Sequence, residues 1–234
     1  MAAADPLFDN SPPKGPRPPA VKPKDAATLI VLRKDGKKPR LLMGRRHKGH
    51  NFMPGMWVFP GGKIDRGDYH VPFTGDLKPE TERRLRHGLN ASRARAIALT
   101  AIRETFEETG LLIGNPAKTS PRAGPWHEFL AQGALPDISR LDMVARAITP
   151  PHLPKRFDAR FLLAPAEALY SLEPRPDCGE LDEIAWVDLD EALALELPSI
   201  TRFVVRDIAE RINHPDRPAI FMRFVNFKSK ATPI

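Results

Sequence analysis

The chain has 234 residues, enough to bury a substantial core in one medium domain with additions or in two small ones. Apolar residues make up 41% and charged residues 28%, as in ordinary globular proteins, and no apolar run approaches the ~20 residues of a membrane span. The net charge is +7, nearly all of it beyond the first 26 residues, and a basic surface attracts polyanions from nucleic acids to nucleotides and other phosphate esters.

The N-terminus "MAAADPLFDN" lacks the basic and apolar regions of a secretory signal, so a cytoplasmic protein is expected. Residues 1 to 25, with "DNSPPKGPRPPAVKPK", are too rich in proline and too poor in apolar side chains to pack, and read as a disordered tail. The ordered domain is expected over 26 to 234. Thr28 to Leu32 and Arg40 to Met43 flank a turn at Asp35-Gly36 and predict a β-hairpin. A further strand, "MWVF", runs into Pro60 and the pair Gly61-Gly62.

Two helices are expected next, Pro79 to Leu89 and Ser92 to Thr109, the second with Ser92 as N-cap and Gly110 just past its end. Residues 114 to 140 read as irregular, with Trp126 unassigned; Trp57 and Trp186 fall in strand-like runs and read as core. Strands are expected at Val144 to Thr149 and Phe157 to Ala164. "ELDEIAWVDLDEALAL" reads as strand, turn and helix, with Asp188 or Asp190 near the helix start. A helix over Ile200 to Ile212 and a last strand in "AIFMRFV" complete the chain. Cys178, the one cysteine, excludes an internal disulfide and fits a reducing compartment. Strands interleaved with helices give an α/β layered fold with a mixed sheet.

The stretch "IRETFEETGLLIG" carries the chemistry. At ~100° per residue, with Glu104 at zero, Glu107 falls near −60° and Glu108 near +40°, while Ala98, Leu99, Ile102 and Phe106 gather on the opposite side. Acids in the last turns oppose the helix dipole by ~0.3–1 kcal/mol each at exposed sites. Glu104 and Glu108 are also a like-charge pair four apart, and Arg103 can relieve only one charge. A solvated acidic face is the plain reading of such a pattern. A hard divalent cation that takes oxygen ligands is the reading that explains why carboxylates stand where Lys or Gln would be more stable. A Gly-Gly turn open to close approach suits Mg²⁺ bound together with substrate phosphates.

These residues resemble the Nudix hydrolase signature: Gly, five residues, Glu, seven residues, then Arg-Glu-U-x-Glu-Glu-x-Gly-U, with U a bulky aliphatic. "GGKIDRGD" supplies Gly62 and Asp68, and "RETFEETGL" supplies Arg103, Glu104, Glu107, Glu108, Gly110 and Leu111. Asp68 stands where the pattern has Glu, Thr105 where it has an aliphatic residue, and 34 residues separate Asp68 from Arg103 where it has seven. A subgroup similar to the peroxisomal and mitochondrial coenzyme A-type Nudix enzymes carries such an insert, behind a segment like "FMPGMWVFPGG". The resemblance spans roughly Ala26 to Leu197.

The resemblance implies a Nudix α/β/α sandwich with a mixed sheet and a helical insertion over 69 to 91 that borders the pocket. It implies Mg²⁺ or Mn²⁺ at Glu104, Glu107, Glu108 and the Gly62 carbonyl, with Glu104 as ligand or base and Arg103 orienting it. A distal acid, Glu180, is a further catalytic candidate, and at most one of Arg45 and Arg46 is expected to meet phosphate, since adjacent strand residues face opposite sides. The role of Asp68 stays open. The implied activity is Mg²⁺-dependent cleavage of a diphosphate in a nucleoside diphosphate joined to another moiety, with coenzyme A or an acyl derivative as the specific candidate. The alternative is a catalytically silent Nudix-like binding module. The expected partner is a small-molecule diphosphate, with a homodimer left open; nucleic acid is disfavoured and no membrane is expected.

Overall fold

The computed structural model describes residues 21–49, 53–121, 123–175, 181–225 and 228–234. In chain order the elements are β1 (Lys24–Arg33), β2 (Arg40–Arg46), β3 (Trp57–Val58), β4 (Gly61–Lys63), α1 (Pro79–Leu85), α2 (Ala91–Thr109), β5 (Gly114–Pro116), α3 (His127–Ala131), β6 (Ala134–Pro136), β7 (Asp142–Ile148), β8 (Phe157–Pro165), β9 (Leu181–Asp188), α4 (Leu189–Ala194), α5 (Ser199–Asn213), β10 (Ile220–Val225) and β11 (Lys228–Pro233). Most of the expected tail lies outside the described residues; its last two, Lys24 and Asp25, already belong to β1.

β1 is central because "AATLIVL" is apolar on both faces. It pairs in parallel with β8 from Lys24 to Leu32 and antiparallel with β2 and β4. The sheet continues as β11-β10-β7-β8-β1-β2-β3, with β9 on β2, and β10 runs parallel to β7. Alternation along β1 divides the core. Ala27, Leu29 and Val31 join Ile97, Ala98, Ile102 and Phe106 of α2 on one face. Ile30 and Leu32 join Val204, Val205 and Ile208 of α5 on the other. A mixed sheet between two helical layers is the expected sandwich, and no helix among the described residues is long and apolar enough to cross a membrane.

Several local expectations give way. The cap of α2 is Asn90, whose side chain accepts from the Arg93 amide at 2.9 Å, so the helix starts at Ala91 and Ser92 is already inside it. Gly110 does end it, at φ 71°, a left-handed position that a Cβ would disfavour. α1 stops at Leu85 rather than Leu89. The stretch from 114 to 140, expected to be irregular, holds β5, α3 and β6, which at three to five residues each are too short to show a period. β10 is not the last strand: β11 folds back on it from Val225↔Lys228 to Ile220↔Pro233.

Candidate functional site

α2 and the β4 turn build the site together. Both glycines of the turn are required by contact. A Cβ on Gly61 would lie 2.4 Å from the Ala27 carbonyl oxygen, and one on Gly62 would lie 2.4 Å from Glu104 Cδ. The Glu104 carboxylate therefore rests against bare backbone. The Gly61 amide donates to Glu108 Oε2 at 3.1 Å, so a second acid of the helix is fixed to the same turn.

Arg103 organises the acids. It is 4% exposed, and its Nη1 donates both to Glu104 Oε1 at 2.9 Å and to Glu107 Oε2 at 2.8 Å. Its other edge is held by Asp68, with Nε 2.8 Å from Oδ1 and Nη2 3.0 Å from Oδ2, while Nη2 also reaches the Lys63 carbonyl at 3.1 Å. Asp68, fully buried, is the third residue of the turn Arg66–Tyr69. Its Oδ2 also accepts from the Asp65 amide, and its Oδ1 from Trp126 Nε1 at 2.9 Å. The Thr100 hydroxyl lies 2.8 Å from Oδ2 and equally close to its own helix carbonyl at Ala96. Sequence alone assigns no role to Asp68 or to Trp126. The only signal for Asp68 was its place in the motif, and Trp126 had none.

The charges respond to this packing. Burial raises the Glu104 pKa to about 7, with the Arg103 charge opposing the shift and the Glu107 charge adding to it. Burial raises Glu107 as well, again against Arg103. Burial works against the Arg103 cation, but the Asp68 hydrogen bond and the surrounding carboxylates overcome it, and its pKa lies above the usual value. The uncompensated helix end acquires a distant cation too: the Arg175 amide donates to the Thr109 carbonyl at 2.9 Å, and its guanidinium stands 5.2 Å from the Phe106 ring centre.

Glu104, Glu107, Gly61, Gly62 and Lys63 line one end of a cleft of about 770 Å³. Arg46 lines it as well, whereas Arg45 pairs with Glu183 at 3.3 Å. Glu108, 4% exposed, is buried against the Gly61 amide and is not among the lining residues. Glu180 lies outside the described residues. The insertion does not border this cleft: Val71, Leu77 and Leu85 are buried in the core on the α2 face, and no residue from 69 to 91 lines the cavity. Three apolar anchors explain why the insert packs there.

The donor set suits a hard divalent ion. Glu104 and Glu107 both present oxygens to Arg103 Nη1, and the Glu104 carboxylate lies directly on the Gly62 backbone. Among the described residues no group of three or more His, Cys, Asp or Glu is arranged to hold a metal ion, so the three glutamates do not gather as one ligand set. A two-carboxylate site fits the habit of Mg²⁺, which keeps waters and completes its shell with substrate phosphates.

No family model matches the chain. It is similar to putative nudix hydrolase 7 of Caenorhabditis elegans, at 25% identity over 223 residues, covering 83% of this chain and 66% of that protein. The chain thus spans about two thirds of the length of this curated relative. The fold is similar to a crystal structure of a NUDIX hydrolase from Alicyclobacillus acidocaldarius, with a TM-score of 0.59 at 28% identity, covering 79% of this chain and 90% of that one. It is also similar in fold to the NUDIX domain of Shewanella oneidensis NrtR complexed with ADP ribose, with a TM-score of 0.50 at 11% identity, covering 82% and 90%. The fold is that of Nudix hydrolase structures, and the curated relative and the Alicyclobacillus structure support the Nudix superfamily.

Proposed function

We propose that the protein is a pyrophosphohydrolase that cleaves the diphosphate of a nucleoside diphosphate joined to another moiety, with Mg²⁺ or Mn²⁺ held at Glu104 and Glu107. The contact of the Glu104 carboxylate with the bare backbone of Gly62 carries this reading, because any side chain there would collide with the acid, and the missing Cβ lets carboxylate and main-chain oxygens lie side by side as donors for an ion. The Gly62 carbonyl and Glu108 are the further oxygen donors at that turn. The ion, when bound, neutralises phosphate oxygens and lowers the pKa of water beside it.

The chain's own groups do the rest. Water attacks one phosphorus and forms a new P–O bond; the bridging P–O bond breaks and a phosphate ester leaves. The proton of the attacking water passes to a carboxylate that does not hold the ion; Glu104 takes it in the alternative arrangement in which Glu107 and Glu108 hold the ion instead. Arg103, locked on Asp68, fixes where Glu104 and Glu107 stand. Arg46 meets a phosphate oxygen from the cleft wall.

The finer choice, coenzyme A or an acyl derivative, draws support from the cleft's length and lining. The register runs Lys63, Ala26, Ala159, Ala147, Met222 across β4, β1, β8, β7 and β10. Four strand spacings make that row ~19 Å long. Its middle is floored by alanines between Phe157 and Phe161, which suits a long, weakly polar arm leading away from the carboxylates.

A Mg²⁺-dependent assay over dinucleotides, nucleotide sugars and coenzyme A species tests the reading. Turnover that disappears in Glu108→Gln supports it. Metal-independent binding without turnover by the wild type would identify a silent binding module instead.

A further inference from the structure

The segment Gly124-Pro125-Trp126 lies outside the motif in sequence but touches its centre. Gly67 has no Cβ, and one built there would sit 2.7 Å from Pro125 Cγ, so the proline ring packs directly on the Arg66–Tyr69 turn. The next residue, Trp126, is 4% exposed and spends its only donor, Nε1–H, on Asp68 Oδ1 at 2.9 Å. Its ring meets Phe129 edge-on at 5.2 Å, and Phe129 meets Phe106 of α2 in the same way at 5.2 Å. The segment is therefore pinned to the Asp68 turn on one side and, through rings, to the helix that bears Arg103 on the other.

Asp68 needs such a partner. Aspartate is one methylene shorter than glutamate, so its carboxylate has less reach towards Arg103 and its direction matters more. Oδ1 is shared between Arg103 Nε and Trp126 Nε1, and Oδ2 among Arg103 Nη2, the Asp65 amide and the Thr100 hydroxyl. Arg103 Nη1 then bridges Glu104 and Glu107. An unbroken chain of polar contacts runs from the indole to the two acids that line the cleft. We propose that Trp126 is a positioning residue: its indole N–H aims Asp68, and through Asp68 it sets how Arg103 holds Glu104 and Glu107. The consequence for turnover rests on the proposed function, whereas the consequence for Arg103 does not.

The test compares wild type, Trp126→Phe, Gly67→Ala and a core control, Val204→Ala, which thins the opposite face of the sheet. Phe keeps most of the ring and removes the donor. Ala at Gly67 keeps the indole and pushes Pro125 away. The first readout is solvent exchange of the Arg103 Nε–H resonance in ¹⁵N-labelled protein, identified by its loss in Arg103→Lys. Exchange at least tenfold faster in Trp126→Phe, and faster in Gly67→Ala should the first variant not fold, supports the proposal. Unchanged exchange in the folded variants overturns it, and so does equal acceleration in Val204→Ala at a matched fall in melting temperature. The second readout is hydrolysis: kcat about tenfold lower in Trp126→Phe with KM within about twofold. A kcat equal to that of the wild type, well below the melting temperature, overturns the relay. A wild type that turns over no diphosphate defeats the proposed function alone, and Arg103 exchange still decides this inference.

Discussion

Arg103 and Asp68 form a two-pronged buried pair, at 2.8 and 3.0 Å, although the insertion separates them along the chain. The pair makes one rigid bracket from a turn and a helix, and the free corner of that bracket, Arg103 Nη1, carries the acids that face the cleft. Removing Asp68 leaves Nε of the buried Arg103 without its acceptor while Glu104 and Glu107 still balance its charge, and a lost hydrogen bond to a charged group typically costs about 1.5–3 kcal/mol. Asp68→Ala is therefore expected to lower the urea midpoint markedly, measured by circular dichroism, and to abolish turnover. A variant with near wild-type stability would mean that water or another acid replaces the carboxylate.

Gly62→Ala separates site geometry from stability. The added Cβ meets the end of a flexible side chain, Glu104, rather than backbone. Glu104 can swing aside, so the fold survives with a small change in melting temperature. The acid is then displaced by an ångström or more, and kcat should fall about a hundredfold.

The adjacent arginines should separate cleanly. Arg46 lines the cleft, and Arg45 is engaged with Glu183 on β9. Loss of one charge-assisted phosphate contact is worth about 1.5–3 kcal/mol. Arg46→Ala should then raise KM at least about tenfold with a smaller effect on kcat, while Arg45→Ala leaves both near wild type. Steady-state kinetics on the best substrate of the panel decides between them.

The pH dependence follows from Glu104. Its pKa rises from the ordinary 4.5 to about 7 on folding, so the folded protein holds the proton more tightly than the unfolded chain does. That contribution to stability is fully present below pH 4.5 and is lost as pH rises through about 7. Metal-free Glu104→Gln should therefore match the wild type near pH 4.5 and exceed it in melting temperature at pH 8. Equal curves at both pH values would show that Glu104 is not held in a desolvated site.

Much of this was legible in the sequence, for identifiable reasons. α2 announces itself because Ala98, Ile102 and Phe106 repeat at the helical period, and the excess of acid at its end has no local rationale. β1 is an almost continuous apolar run from Ala26 to Leu32, and β8 carries one from Phe161 to Ala164. The contacts that complete the site are not periodic. Trp126 sits among prolines and glycines and reaches Asp68 only through the tertiary fold. The insert looked like a pocket wall, but Val71, Leu77 and Leu85 draw it into the core on the other face of the sheet. β11, with "KSKATP", has almost no apolar pattern and exists because β10 offers it an open edge.

Manganese binding tests the central claim most directly. Free Mn²⁺ is followed by electron paramagnetic resonance as the protein is titrated in, for the wild type and for Glu104→Gln/Glu107→Gln. The expected result is saturable uptake by the wild type that the double variant loses while remaining folded. Equal uptake by both proteins, or none by the wild type even with a diphosphate ligand present, would contradict it.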